Sequence, residues 1–248
     1  MQAIVDAYLA KIISYHQSIP VQGIIPRQAE ITLDSIYIPL SLRLQRDKIN
    51  AKPLDNRARL RLFERDRDTS FEYFQDLALA EETVLTLEQL WERNHHWLLV
   101  GPTGAGKTTL LYYAAYQAAK QPQGRLPLSI NLRFFAHEWE KHPQWQVDNA
   151  LFHYLTGPGL KELGFLDVAN WSTLKDYFEE VLTIGQALLL LDDLELNRSL
   201  AITESLEKLL QRFPDNRCLV TTRFTGQQDH LLRGHFQIAH LEAFSETQ

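Results

Sequence analysis

The sequence predicts an α/β protein in which helices cover both faces of a parallel sheet, preceded by a small, mainly helical N-terminal segment. Three observations predict it. Four short apolar segments, Trp97 to Val100, Leu126 to Leu132, Ala187 to Leu191 and Arg217 to Thr222, read as strands buried on both faces. Helix-like stretches at 108–120, 149–155, 173–184 and 200–212 separate them, the alternation that a parallel sheet needs. The first apolar segment runs through a glycine-rich loop straight into a helix-forming run, LLYYAAYQAAK.

Composition narrows the class. The chain has 248 residues, 45% of them hydrophobic and 23% charged, so it is globular and can bury a core. That length fits one large domain or one domain with an appendage. The single cysteine, Cys218, excludes a disulfide-stapled scaffold. No apolar run approaches the 18 or so residues of a membrane span. Asp6 and Lys11 interrupt Ile4 to Ile13, unlike the apolar stretch of a secretory leader. A net charge of −6 leaves no overall electrostatic footprint for nucleic acid. The expectation is a soluble, cytoplasmic protein with neither a membrane nor a nucleic-acid partner.

Residues 4–13 place apolar side chains at helical spacing, which predicts a short amphipathic helix. Pro20, Gly23 and Pro26 punctuate a connector. From Ile31 to Leu44 the period changes: Ile36, Ile38, Leu40, Leu42 and Leu44 alternate with other residues, which predicts a half-buried strand, and Pro39 puts it at a sheet edge. Residues 43–68 mix Arg and Lys with Asp and Glu and read as a solvated connector with no assigned role. Helical periodicity resumes over Phe71 to Leu90.

The glycine-rich loop carries the chemistry. Gly101-Pro102-Thr103-Gly104-Ala105-Gly106-Lys107-Thr108 fits G-x-x-x-x-G-K-[ST], between a predicted strand and a predicted helix, with Thr109 next in the helix. Glycines let successive backbone N–H groups gather around a polyphosphate, and the helix N-terminus adds unpaired donors and a positive dipole end. Lys107 supplies a mobile charge to the β- and γ-phosphates, and Thr108 offers its hydroxyl to Mg²⁺. The implied ligand is a nucleoside triphosphate or diphosphate with Mg²⁺.

The apolar strand Ala187 to Leu191 ends in Asp192-Asp193-Leu194-Glu195. Ligands of open α/β sheets bind at that edge. Asp192 is therefore assigned to the metal, and Glu195 or Asp193 to the attacking water. The interval from Lys107 to Asp192 has room for a further strand, which Leu126 to Leu132 fills; this points to the additional-strand, AAA-like division of P-loop NTPases. The segment Arg217 to Arg223 repeats the pattern, ending at the hydroxyls of Thr221 and Thr222 and at Arg223, an arginine that can report the γ-phosphate.

Taken together, WLLVGPTGAGKTTLL, LPLSINLRFFA, ALLLLDDLEL, RCLVTTRF and the upstream SIYIPLSLR resemble a bacterial-type NACHT member of the STAND class of P-loop NTPases, over most of the chain. The resemblance implies a signal-transducing, ATP-hydrolysing switch that self-associates, or joins a partner chain, when ATP-bound; bacterial relatives act in antiviral defence. It also implies a division into 1–75 (helical leader and edge strand), 76–240 (NTPase domain) and 241–248 (the start of a helical domain), with further sensor and effector regions expected beyond this chain. Residues 236–248 are thus expected to lead into helix. By resemblance Glu195 matches the acid that assists hydrolysis. Asp193 stands where the family has a small residue, and Leu196 occupies its second acidic position, so slow turnover is the expectation. A nucleotide-dependent scaffold that binds with little hydrolysis is the alternative.

Other signals are structural. His137-Glu138-Trp-Glu-Lys-His142 has one residue too many for a zinc-protease motif, because i and i+5 diverge by about 140° on a helix. His230, His235 and His240 lack partners at metal spacing, Cys218 reads as a buried small hydrophobe, and Trp139, Trp145 and Trp171 as packing residues.

Overall fold

A computed structural model describes residues 1–17, 33, 42–44, 85, 87–93, 96–121, 124–165, 169–194, 200–223 and 236–241. Its elements in order are α1 (Gln2–His16), β1 (Leu42–Leu44), α2 (Leu87–Arg93), β2 (His96–Val100), α3 (Lys107–Ala119), β3 (Leu126–Asn131) and α4 (Leu132–Lys141). There follow α5 (Ala150–Leu155), α6 (Pro158–Glu162), α7 (Ala169–Thr183), β4 (Ala187–Leu194), α8 (Leu200–Arg212), β5 (Arg217–Thr222) and β6 (Gln237–Leu241).

The strands form one six-stranded sheet in the order β1-β6-β2-β5-β4-β3. All neighbours are parallel except β1, which runs antiparallel to β6. The apolar runs form its centre because both faces are covered: Trp97 through Val100, Ala187 through Leu191 and Cys218 through Val220 are all buried. The burial of Cys218 pushes its thiol pKa up, which suits a packing role.

Two sequence expectations change. The strand inserted between the phosphate-loop strand and the acidic strand is β5, not the 126–132 segment; β3 lies at the far edge, paired with β4 alone. And Gln237–Leu241, expected to lead into a helical domain, is instead the fifth parallel strand, with Leu98 facing Ile238 and Leu99 facing Ala239 in register. Its pattern reads poorly as strand because Gln237 and His240 interrupt the apolar residues, and the pairing that stabilises it comes from a distant part of the chain. Residues 242–248 lie outside the described residues, as do 45–84. The edge strand expected over 31–44 is described only at Leu42–Leu44, where it does occupy the edge; Leu33 is helical and fully buried.

The N-terminal helix belongs to the same core. Tyr8 and Ile12 of α1 are buried, and the Tyr8 hydroxyl donates to the Pro127 carbonyl at 2.8 Å. The Tyr8 ring meets Phe178 of α7 edge-on at 5.0 Å. Burying two such side chains stabilises the docked helix by about 1.5–3 kcal/mol each. At the same end of the sheet, the fully buried Asn216 side chain donates to the carbonyls of Leu182 (2.7 Å) and Phe213 (3.1 Å) and accepts from the Ala187 N–H (2.9 Å). One amide thereby ties the end of α7, the end of α8 and the start of β4.

Candidate functional site

The C-terminal ends of β2, β4 and β5 meet at one edge of the sheet. Between β2 and α3, residues Gly101, Pro102, Thr103, Gly104, Ala105 and Gly106 form the loop, and Lys107, Thr108 and Thr109 open α3. Its glycines act through different physics. Gly106, the N-cap of α3, sits at φ 85°, a region that costs an L side chain about 1–2 kcal/mol. Gly101 is not left-handed, but a Cβ there would meet the Leu241 carbonyl oxygen at 2.9 Å and the Leu241 Cβ at 3.0 Å. Gly101 therefore admits the end of β6, the strand that the sequence reading missed. No side chain caps α3, so its first N–H groups stay available to an anion.

The Lys107 ammonium donates to the Gly101 and Pro102 carbonyls, both at 2.7 Å. Burial lowers its pKa below the ordinary lysine value; Asp192 opposes this, Arg223 adds to it and Asp193 opposes it. Polyphosphate charge here would favour the protonated form.

Asp192 lies at the centre. Its Oδ2 accepts from the Thr108 hydroxyl at 2.9 Å and its Oδ1 from the Thr221 hydroxyl at 2.6 Å. Adjacent oxygens around an octahedral Mg²⁺ at about 2.1 Å stand roughly 3 Å apart. Thr108 and Asp192 thus fit the metal they would hold.

Beyond Asp192 the strand distorts. The β4–β5 register shifts between Leu191 and Leu194, and Asp193 takes φ 60°. Thr221 accepts the Asp193 N–H at 2.9 Å, and the Thr222 hydroxyl donates to the Leu194 carbonyl at 2.8 Å, pinning the bulge. The Asp193 carboxylate lies 2.5 Å from an Arg133 guanidinium nitrogen and 3.7 Å from Arg223 Nε. Arg223 is therefore drawn to the site edge by Asp193. Arg133 was not foreseen. Its only sequence signal is Asn131, whose side chain accepts the N–H groups of Arg133 (3.0 Å) and Phe134 (3.3 Å) and so starts α4 beside Asp192. Glu195 and Leu196 lie outside the described residues.

The rejected signals are structural where described. Glu138 pairs with Lys141 (2.6 Å) and His142 (3.8 Å) at the end of α4, and Trp139 and Trp171 donate to the Trp145 and Phe165 carbonyls. Among the described residues no cluster of three His, Cys, Asp or Glu could hold a metal, and no helix is long and apolar enough to cross a membrane.

A family model of the NACHT domain matches residues 95–248, which is more than half of the chain. No curated protein matches the sequence. Among solved structures, the chain is similar to AMPPCP-bound DnaA from Aquifex aeolicus, at 18% identity and a TM-score of 0.34; the match covers 59% of this chain and 39% of that one. The matched family segment contains the phosphate loop, the acidic strand and all five parallel strands. The chain belongs to the NACHT domain family of nucleotide-binding P-loop NTPases.

Proposed function

We propose that the protein is an ATP-dependent signalling switch that hydrolyses ATP slowly and self-associates, or joins a partner chain, when ATP is bound. The observation that supports it most is the meeting of Lys107, Thr108, Asp192 and Thr221 at one sheet edge, with Thr108 and Asp192 already 2.9 Å apart. In this reading the α3 N-terminus and Lys107 hold the phosphates, and Thr108 and Asp192 hold the metal. Bound Mg²⁺ supplies charge neutralisation at the β- and γ-phosphates. Thr221 fixes the orientation of the Asp192 carboxylate. Arg223 stabilises charge on the γ-phosphate. Glu195 orients the attacking water; the Asp193 carboxylate, shared between two guanidinium groups, is poorly placed to accept a proton and serves to hold Arg223.

That same clamp favours the second reading, a scaffold that binds ATP with little hydrolysis, because it holds Arg223 away from a transferring phosphate. Preference for ATP, a cytoplasmic location, STAND-type assembly and a role in bacterial defence signalling rest on the resemblance and are part of the proposal. The test is ATP binding and steady-state hydrolysis with Mg²⁺ for the parent chain, Lys107→Ala and Glu195→Gln. Binding abolished by Lys107→Ala, with turnover abolished by Glu195→Gln, supports the switch. Binding without turnover supports the scaffold. Absence of nucleotide binding sinks both.

A further inference from the structure

A cavity of about 80 Å³ opens on the far side of Asp192 from Thr221, between the sheet face at Ser129 and Leu190 and the helices α1, α3 and α6. A single water needs roughly 10–15 Å³, so the space suits several waters or one small ring system. Polar and apolar groups share its walls, with Tyr112 of α3 and the half-exposed side chains of Tyr15 and Phe134 among the lining.

Its polar groups are unusual. His16, at the end of α1, is 2% exposed, and neither ring nitrogen has a hydrogen-bond partner among the described residues. The Tyr112 and Tyr15 rings hold the imidazole, with centroids at 4.6 and 5.0 Å. The Ser129 hydroxyl, also buried, has no partner either. Buried polar groups in folded proteins are nearly always paired, so three unpaired atoms on two residues of one cavity wall point to a ligand that pairs them. Burial holds the His16 pKa down at about 4, so the ring is neutral and offers one N–H donor and one lone pair. Among the described residues, the charged groups of the lining are the carboxylates of Glu162 and Asp192, without a lysine or arginine. That disfavours an anionic ligand. Glu162 Oε1 accepts from the Tyr154 hydroxyl at 2.8 Å, which leaves Oε2 for a ligand donor.

We propose that this cavity binds a small planar nitrogen heterocycle of nucleobase type, neutral or singly positive, which hydrogen-bonds His16 and Ser129. It is not the base site of the phosphate-loop nucleotide. Asp192 and Thr108 mark the γ-phosphate end of a bound triphosphate, and its base lies at the opposite end. The heterocycle would therefore be a second ligand, touching Asp192 from the γ side. This last point rests on the proposed nucleotide site; the cavity and its unpaired groups do not.

The test uses the full chain with ADP and Mg²⁺ at saturation, so that the phosphate loop is filled. Adenine, cytosine and 2-aminobenzimidazole are the probes, and toluene is the apolar control. Binding is read by the ¹⁵N resonances of the His16 ring and by equilibrium dialysis. At least one heterocycle should shift the His16 nitrogens, and Ser129→Ala should weaken its binding about three- to tenfold, the range of one neutral hydrogen bond. His16→Phe should weaken it about tenfold or more while ADP affinity stays unchanged; should that variant fail to fold, the parent ring resonances and Ser129→Ala decide. Heterocycles that leave the His16 nitrogens unmoved overturn the proposal. So does toluene binding as tightly as any of them with no effect of Ser129→Ala, which would mark a dry apolar void. Heterocycle binding seen only without ADP overturns it too, because the probe would then occupy the nucleotide's own base site.

Discussion

Replacing Asp193 by glycine separates what the Arg133–Asp193–Arg223 clamp does for stability from what it does for chemistry. At φ 60° the aspartate pays the left-handed penalty, about 1–2 kcal/mol, which glycine removes. Against this, two ion pairs are lost. Their arginine side chains are 53% and 52% exposed and the Asp193 side chain 22%, so solvent screening limits each pair to about 0.2–1 kcal/mol. The backbone N–H bond from residue 193 to Thr221 survives the change. The terms offset, and Asp193→Gly should alter unfolding free energy by no more than about 1 kcal/mol in a urea titration. Freed of its partner, Arg223 should turn to the γ-phosphate and raise the preference for ATP over ADP by about three- to fivefold, the worth of one screened ion pair. Titration calorimetry with ADP and a non-hydrolysable ATP analogue, for Asp193→Gly and for Asp193→Gly with Arg223→Ala, measures it. A loss of more than about 2 kcal/mol in stability would mean that the clamp is structural. An unchanged ATP-to-ADP ratio would mean that Asp193 does not restrain Arg223.

Three further outcomes follow from the packing. His16 titrates near 6.5 when unfolded and near 4 when folded, so the unfolded chain binds more protons between those values; the stability this contributes is complete above pH 6.5 and is lost as pH falls through 4. The loss amounts to about 3 kcal/mol, and His16→Phe should flatten the urea midpoint across that window; an unaltered slope refutes the assignment. Asn216→Ala removes the side-chain partners of the Ala187 N–H and the Phe213 carbonyl in the interior, and one of the two donors to the Leu182 carbonyl, and should cost about 2–4 kcal/mol by equilibrium unfolding, whereas a cost under about 1 kcal/mol would show that the strands close over the gap. Gly101→Ala drives a Cβ into the Leu241 backbone at 2.9 Å and should lower thermal stability by several degrees and weaken nucleotide binding together, with a wild-type melting temperature counting against the β6 contact.

The central strands were legible because burial on both faces writes them as unbroken apolar runs, and the loop because its chemistry requires fixed residues at fixed spacing. The place of Asp192 at the end of a buried strand was legible from the same apolar run. What escaped depends on distant parts of the chain. β6 carries Gln237 and His240 among its apolar residues and gains its place by pairing with β2 and β1, both distant in the chain. Arg133 looked like one more surface cation until α4 and the bulge at Asp193 brought the two together across the sheet edge. His16 closes an amphipathic helix, where a polar residue reads as solvent-facing, and only the docking of α1 on α3 buries it. Its role therefore depends on tertiary contact, which periodicity does not encode.

The family segment begins at residue 95, but the fold does not. Leu42–Leu44 covers the outer side of β6, and α1 seals the face of the sheet beside β3. A chain shortened to the family boundaries would present β6 as a raw strand edge, open to pairing with any neighbouring molecule. It would also strip Tyr8 and His16 from the interior. Aggregation of such a fragment would then report a missing lid on the sheet, and could easily be mistaken for the nucleotide-dependent assembly proposed above.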